Sequence, residues 1–462
     1  MPRSTSCALL IVFALVAGLS AEPIHLPIFQ KRSTERRLKT DYSSPQLSPR
    51  QSSDSTVSSL NAVLYYIPLD IGTPPQTVEL VLTTTIADIF IVGIECDACF
   101  SAAGASIYDS SKSSSAVNKS IGNPKNATFE PIVITDAFDP ITLTTWSFTD
   151  TISLGQFTAL GADVFQVIET FGGVFGTPIA GFFGLAFQGL SSFNTPPFWQ
   201  AISQQVSIRD MGLWFTRRGN DTLGGDPEPG GVFTFGGTNT SLYTGDIEFM
   251  PVTSNNTYWS LNLSTITVQG HSLSVTPSTS RAAIITGVDD AVWISGPPAD
   301  VKAIWALVPN SSEIFGSSGT FQFPCSASVN ISISFGGRSW SINADDMNLG
   351  PVNSNSDQCI GGIVYGNTTS GASVHWSFGL PFLKNVYTVL RQNPPSVGFG
   401  ELSALGAGTD PQSSVSQSAN PTSSTTPTGS DTSGSVSLKH AGWTVLCTTS
   451  GFVALALFLE AY

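Results

Sequence analysis

Charge is what this chain has least of. Only 11% of its 462 residues are Asp, Glu, Lys or Arg, and 19 basic against 33 acidic side chains leave a formal net charge of −14. No basic stripe is present to neutralise phosphates, which excludes nucleic acid as a partner. Histidine is scarce as well, at four residues, and no second Cys-x-x-Cys accompanies Cys96 and Cys99. A zinc half-site therefore lacks its other ligands, and no metal or cofactor is expected; a structural disulfide is expected at this pair, with a redox motif the alternative. Long heptad or amphipathic helical patterns are few.

What the chain has instead is Gly, Pro, Ser, Thr, Val, Ile and Phe, the composition of a mostly β protein. At this length one small core is not enough, and two lobes are expected. The organising stretch is Thr77 to Val92, TVELVLTTTIADIFIV, which reads as strand, polar turn, strand. Val81 to Ile91, VLTTTIADIFI, matches Ile284 to Ile294, IITGVDDAVWI, without a gap. That register sets Thr83 opposite Thr286 and Phe90 opposite Trp293. FFGLAF at Phe182 to Phe187 and SFGLPF at Ser377 to Phe382 follow the two turns, so the chain contains one plan twice.

Around this body the composition changes. Residues 1–21 carry Arg3, an apolar run from Ala8 to Leu19 and small residues up to Ala21, the pattern of a secretory signal peptide; a membrane anchor is the alternative. Residues 22–60 are basic, with pairs at Lys31-Arg32 and Arg36-Arg37, and read as a propeptide lying over an acidic cleft, or as a disordered linker. The lobes are expected at 61–245 and 246–402. Residues 403–437 are a Ser/Thr-rich stalk. Residues 438–462 end in an apolar tail, expected to be a lipid-anchor (GPI) signal or a plain membrane span.

Cys96 with Cys99, and Cys325 with Cys359, are expected to pair locally within their lobes. Sequons at Asn118, Asn126, Asn220, Asn239, Asn255, Asn262, Asn310, Asn330 and Asn367 are candidate glycosylation sites.

Several ordered segments resemble the pepsin-like aspartic peptidases, in particular the secreted and cell-surface ones of fungi. YYIPLDIGTPPQ at Tyr65 to Gln76, SIYDSSKSS at Ser106 to Ser114, DTISLG at Asp150 to Gly155 and AGFFGLAF at Ala180 to Phe187 are similar to the first lobe. GGVFTFGGTNTSLYTGDIEFMPV at Gly230 to Val252 is the most specific match, and Tyr258-Trp259, Cys325, Cys359 and FLKNVYTVLRQNPPSVGF from Phe382 continue it. The resemblance implies a mostly β, bilobal acid-protease fold, two related barrel-like lobes with a cleft between them, acting as a monomer.

The family's chemistry needs Asp-Thr-Gly or Asp-Ser-Gly from each lobe, so that two carboxylates share a proton and activate one water. The first turn here is Thr83-Thr84-Thr85, with Thr83 at the aspartate position. In the second, the gap-free repeat puts Thr286 there, whereas keeping the family's Thr-Gly pair as Thr286-Gly287 puts Ile285 there. Neither register holds a carboxylate, and a threonine hydroxyl cannot act as the base. Asp88, Asp289 and Asp290 are the nearby acids that could substitute; as turn or cap residues they would be structural. The family's flap tyrosine is missing, with Phe138 at the counted position, and Leu380 stands where an aspartate is expected.

The resemblance thus implies a non-catalytic member holding an extended peptide or a cell-wall component in its cleft. An active acid endopeptidase with displaced acids, and a surface glycoprotein with a vestigial cleft, are the alternatives. The turn threonines are expected to bond across the lobe junction, as the family's second turn residues do.

Overall fold

The computed structural model describes residues 21–32, 63–96, 99, 107–119, 125–129, 141–171, 179–217, 228–253, 256–287, 289–366 and 373–408. Residues 1–20 of the expected signal peptide, the expected stalk beyond residue 408, the C-terminal tail and Phe138 lie outside the described residues; the first six residues of the expected stalk lie against the sheet, the Gly406 carbonyl accepting from the Trp214 indole at 3.0 Å. Among those described, no helix is long and apolar enough to cross a membrane.

The protein is mostly β and bilobal. Strand β1 is Ile24–Arg32, β2 Val63–Ile71, β3 Gln76–Thr83 and β4 Ile89–Val92. They belong to a 14-stranded sheet. β2 pairs with β3 through a turn that Gly72, at φ +95°, makes possible; a Cβ there would stand 2.9 Å from the Ser113 hydroxyl. β3 then runs parallel to Gly181–Gly184, which pairs on its other side with β4. All four residues of β4 are buried, as a run of Ile, Phe, Ile and Val between two neighbours requires.

The same sheet joins the halves of the chain. Asp210–Phe215 pairs with Glu228–Phe235 on one side and with the late strand Val386–Gln392 on the other, and Pro395–Leu402 and Tyr243–Pro251 follow. The remainder of the second half forms three smaller sheets of five, four and four strands. In the five-stranded one, Arg281–Ile284 runs parallel to Trp376–Phe378, which pairs with Ile294–Gly296.

Segment 22–60 is described only as far as Arg32. That part is β1, antiparallel to Glu228–Phe235 along one edge and to β2 along the other. Alternating Ile24, Leu26 and Ile28 direct apolar side chains inward, and Ile28 is fully buried.

Disulfides join Cys96 to Cys99 and Cys325 to Cys359. Among the sequons, Asn118, Asn262, Asn310 and Asn330 are exposed and Asn239 is half-buried, its Oδ1 accepting from the Ser241 amide and hydroxyl. The side chains of Asn126, Asn220, Asn255 and Asn367 lie outside the described residues.

Buried Asp150 explains why two segments far apart in sequence come together. Its Oδ2 accepts from the Tyr108 hydroxyl at 2.6 Å, and its Oδ1 accepts from Ser115 at 2.6 Å, Ser113 at 3.1 Å and the Thr151 amide at 2.7 Å. A buried carboxylate with four donors is satisfied, and it ties SIYDSSKSS to DTISLG.

Candidate functional site

The site forms where the two repeated turns meet. Thr84 is fully buried; its hydroxyl donates to the Ile284 carbonyl at 2.7 Å and accepts from the Thr286 amide at 2.9 Å. The Thr84 amide faces the Thr286 carbonyl at 3.4 Å. Thr84 and Thr286 are therefore reciprocal residues of the two turns, and the residues before them, Thr83 and Ile285, are counterparts.

Sheet register gives the same answer independently. Leu82 pairs with Phe183 and Ile284 with Phe378, the second residues of FFGL and SFGL. Leu82 thus corresponds to Ile284 and Thr83 to Ile285. Beyond the turns, Ile89 pairs with Phe183 and Ile294 with Phe378, while Gly184 bonds the Asp88 carbonyl and Gly379 the Trp293 carbonyl. Six steps lead from Thr83 to Ile89 and nine from Ile285 to Ile294, so the second turn is three residues longer.

This corrects the gap-free repeat. Thr286 does not face Thr83, and Trp293 matches Asp88 rather than Phe90, whose counterpart is Ser295. The physical reason is that Ile284 and Ile285 are both buried, so the apolar pattern fits either register; only the hydrogen bonds distinguish them.

Thr83 is buried, and its hydroxyl lies 2.8 Å from that of half-buried Thr85 and accepts from the Thr85 amide at 3.3 Å. From the other turn, Gly287 comes against it: at φ +124° a Cβ on Gly287 would sit 2.7 Å from the Thr83 hydroxyl. Only glycine fits there. Ile285 is fully buried, its amide bonded to the Phe378 carbonyl at 3.0 Å. Thr286 completes one side of the junction only, since its hydroxyl is buried with no hydrogen-bond partner among the described residues.

A chain of bonds supports the two turns from below. The Leu185 amide donates to the Thr83 carbonyl at 2.7 Å, and the Trp259 indole donates to the Leu185 carbonyl at 2.8 Å. The Trp259 carbonyl in turn accepts from the Ile284 amide at 2.9 Å. Trp199 donates to the neighbouring Ala186 carbonyl, and Phe187 packs 4.2 Å from the Trp259 ring. Sequence reading singled out Trp259 as the start of the second lobe but missed its role as the bridge, for which the sequence carries no signal.

Of the substitute acids, Asp88 is directed away from this point. Asp88 is buried and turned to the loop at 191–195, accepting from Ser191 at 2.6 Å, the Ser192 amide at 2.7 Å and Thr195 at 3.2 Å. Burial pushes its carboxyl above the usual range, opposed by those hydrogen bonds. Asp289 and Asp290 open a short helical turn, Asp289–Val292, whose acidic side chains lie outside the described residues. Leu380 is buried at the start of a short helix, Leu380–Leu383. Among the described residues, no group of three or more His, Cys, Asp or Glu side chains could hold a metal ion.

A hydroxyl pair and an isoleucine can donate and accept hydrogen bonds or exclude water; they offer no ionisable group to move a proton near neutral or acid pH.

Comparison with known proteins agrees with this architecture. Major aspartyl peptidase 1 of Cryptococcus neoformans var. grubii is 31% identical over 342 residues, covering 72% of this chain and 68% of its own. An aspartic protease of Phaffia rhodozyma is 34% identical over 230 residues, 48% of this chain and 52% of its own, so the chain spans about half of that relative. Cathepsin D of Clupea harengus is 24% identical over 416 residues, 85% of this chain and 98% of its own. The family model for eukaryotic aspartyl protease matches residues 64–402, from β2 to the last strand of the sheet, and the chain belongs to that family.

Proposed function

We propose that this protein is a non-hydrolysing member of the aspartyl protease family that holds an extended peptide, or a wall component of similar extended shape, between its lobes. The observation that carries the reading is the pairing of Thr83 with Ile285 in the places that precede the junction threonines, where the family's resemblance calls for two carboxylates. Without them the proton-sharing pair and its water have no base. What is retained favours binding: Gly287, the Thr84 junction and the bridge through Trp259 keep the two turns together. Such a fold captures a chain by main-chain pairing and side-chain pockets rather than by reaction. The same reading has the protein exported, glycosylated at exposed sequons and held at the cell surface by its C-terminal segment.

The test is equilibrium binding of an extended-peptide library to the purified glycoprotein, followed by mass analysis of the bound peptides. Saturable binding with peptides of unchanged length is the expected outcome. Shortened peptides would instead mean displaced acids at work, and no saturable binder would leave a surface glycoprotein with a vestigial cleft.

A further inference from the structure

A place in the sheet paired along both edges is filled by a segment that the sequence marks for removal. β1 makes seven register pairs with Glu228–Phe235 and four with β2. Its side chains are equally committed: Ile28 and Gln30 are buried, Phe29 stacks on Tyr66 at 5.9 Å, and the His25 Nδ1 lies 2.9 Å from the hydroxyl of fully buried Thr234. Ahead of it, the Ala21 amide donates to the Gln205 carbonyl and the Glu22 carbonyl accepts from Gln156. The surrounding backbone is fitted to this strand, because a Cβ at Gly230 would meet Gln30 at 2.9 Å and one at Gly155 would meet Ile24 at 3.0 Å.

Taking β1 away would expose two hydrogen-bonding edges in the middle of the sheet and uncover the apolar face beneath Ile24, Leu26 and Ile28. Residues 33–62, which follow it, carry no replacement. A strand in this place needs apolar residues at three alternating positions, and residues 33–62 contain no such triplet; Leu38, Tyr42, Leu47, Val57 and Leu60 are isolated among polar side chains.

We propose that the slot between β2 and Glu228–Phe235 is a peptide-binding site whose permanent occupant is the chain's own residues 22–32. Cutting after Lys31-Arg32 or Arg36-Arg37 separates this peptide from the body covalently and leaves it bound, giving a two-chain protein. The junction at Thr84 and the slot are different places, so this holds whatever the cleft binds.

The experiment uses the full chain with the recognition sequence of a site-specific protease placed between Arg37 and Gln51. After complete cleavage, native gel filtration should return the N-terminal peptide in equimolar amount with the body, and denaturant should release it. Peptide recovered in the low-mass fraction under native conditions overturns the proposal, whether or not the body remains folded. A second measurement avoids dependence on mutant folding: after denaturant has released the resident peptide and is removed again, labelled synthetic peptide 22–32 should enter the slot, and the same peptide with Ile28→Asp should not. Equal incorporation of both peptides would also overturn it.

Discussion

The Thr84 hydroxyl both donates to the Ile284 carbonyl and accepts from the Thr286 amide, so one side chain ties together two turns 202 residues apart. Thr286 does not return the arrangement, for its own hydroxyl is buried without a partner among the described residues. This asymmetry predicts opposite behaviour for two chemically identical substitutions. Thr84→Val strands a buried amide and a buried carbonyl and should cost about 2–4 kcal/mol in denaturant unfolding. Thr286→Val removes an unpaired polar atom and should change stability by less than about 0.5 kcal/mol, or raise it slightly.

Asp88 supplies a pH signature. Its folded-state pKa is raised, chiefly by burial, so the folded protein holds the proton more tightly than the unfolded chain does. Stability contributed by protonation therefore grows as pH falls through the raised value and levels off below the ordinary carboxylate range. Relative to Asp88→Asn, the wild type should gain stability across that window. Thermal unfolding of both proteins over a pH series measures the difference, and parallel curves would show that Asp88 titrates as an exposed carboxyl.

The buried pair of Asp210 and Arg391 should respond unequally to its two halves. Arg391 donates Nε and a terminal nitrogen at 2.9 and 2.8 Å and lies 3.6 Å over the Phe249 ring, but its side chain is 32% exposed against 5% for Asp210. Arg391→Met leaves a carboxylate that water cannot reach and should cost about 3 kcal/mol. Asp210→Asn leaves a guanidinium that rehydrates and should cost roughly 1 kcal/mol. Chemical denaturation of the two variants gives the order.

Loop length separates the two disulfides. Cys325 and Cys359 are 34 residues apart and Cys96 and Cys99 only three. In the chain-entropy account, replacing the first pair by serine should cost about 3–4 kcal/mol and replacing the second about 2 kcal/mol or less. Unfolding of the two double variants checks the ranking.

Much of the fold was legible in the sequence because its signals are local. The apolar run before the threonines is β3, IFIV is β4, and the cysteine pairs within each half are the two disulfides. The second turn was not fully legible, because buried Ile284 and Ile285 are interchangeable to an apolar pattern and three extra residues lie beyond them. The position of β1 was hidden for another reason. Its alternation of Ile24, Leu26 and Ile28 is a strand signal, but Lys31, Arg32 and the basic residues after them dominate the composition of the segment. Trp259 could be placed by its family setting, yet its bond to Leu185 joins residues 74 positions apart and has no sequence signature.

Restoring the missing groups tests the central claim most directly. The purified wild type, a Thr83→Asp, Thr85→Gly, Ile285→Asp variant and a Thr83→Asp, Thr286→Asp variant are incubated with a denatured protein at about pH 4, where one carboxylate of a close pair is ionised and the other protonated. The account predicts cleavage by the first variant alone, exceeding the wild type by roughly 100-fold or more. Cleavage by the wild type, blocked by a transition-state analogue of the family, would contradict it.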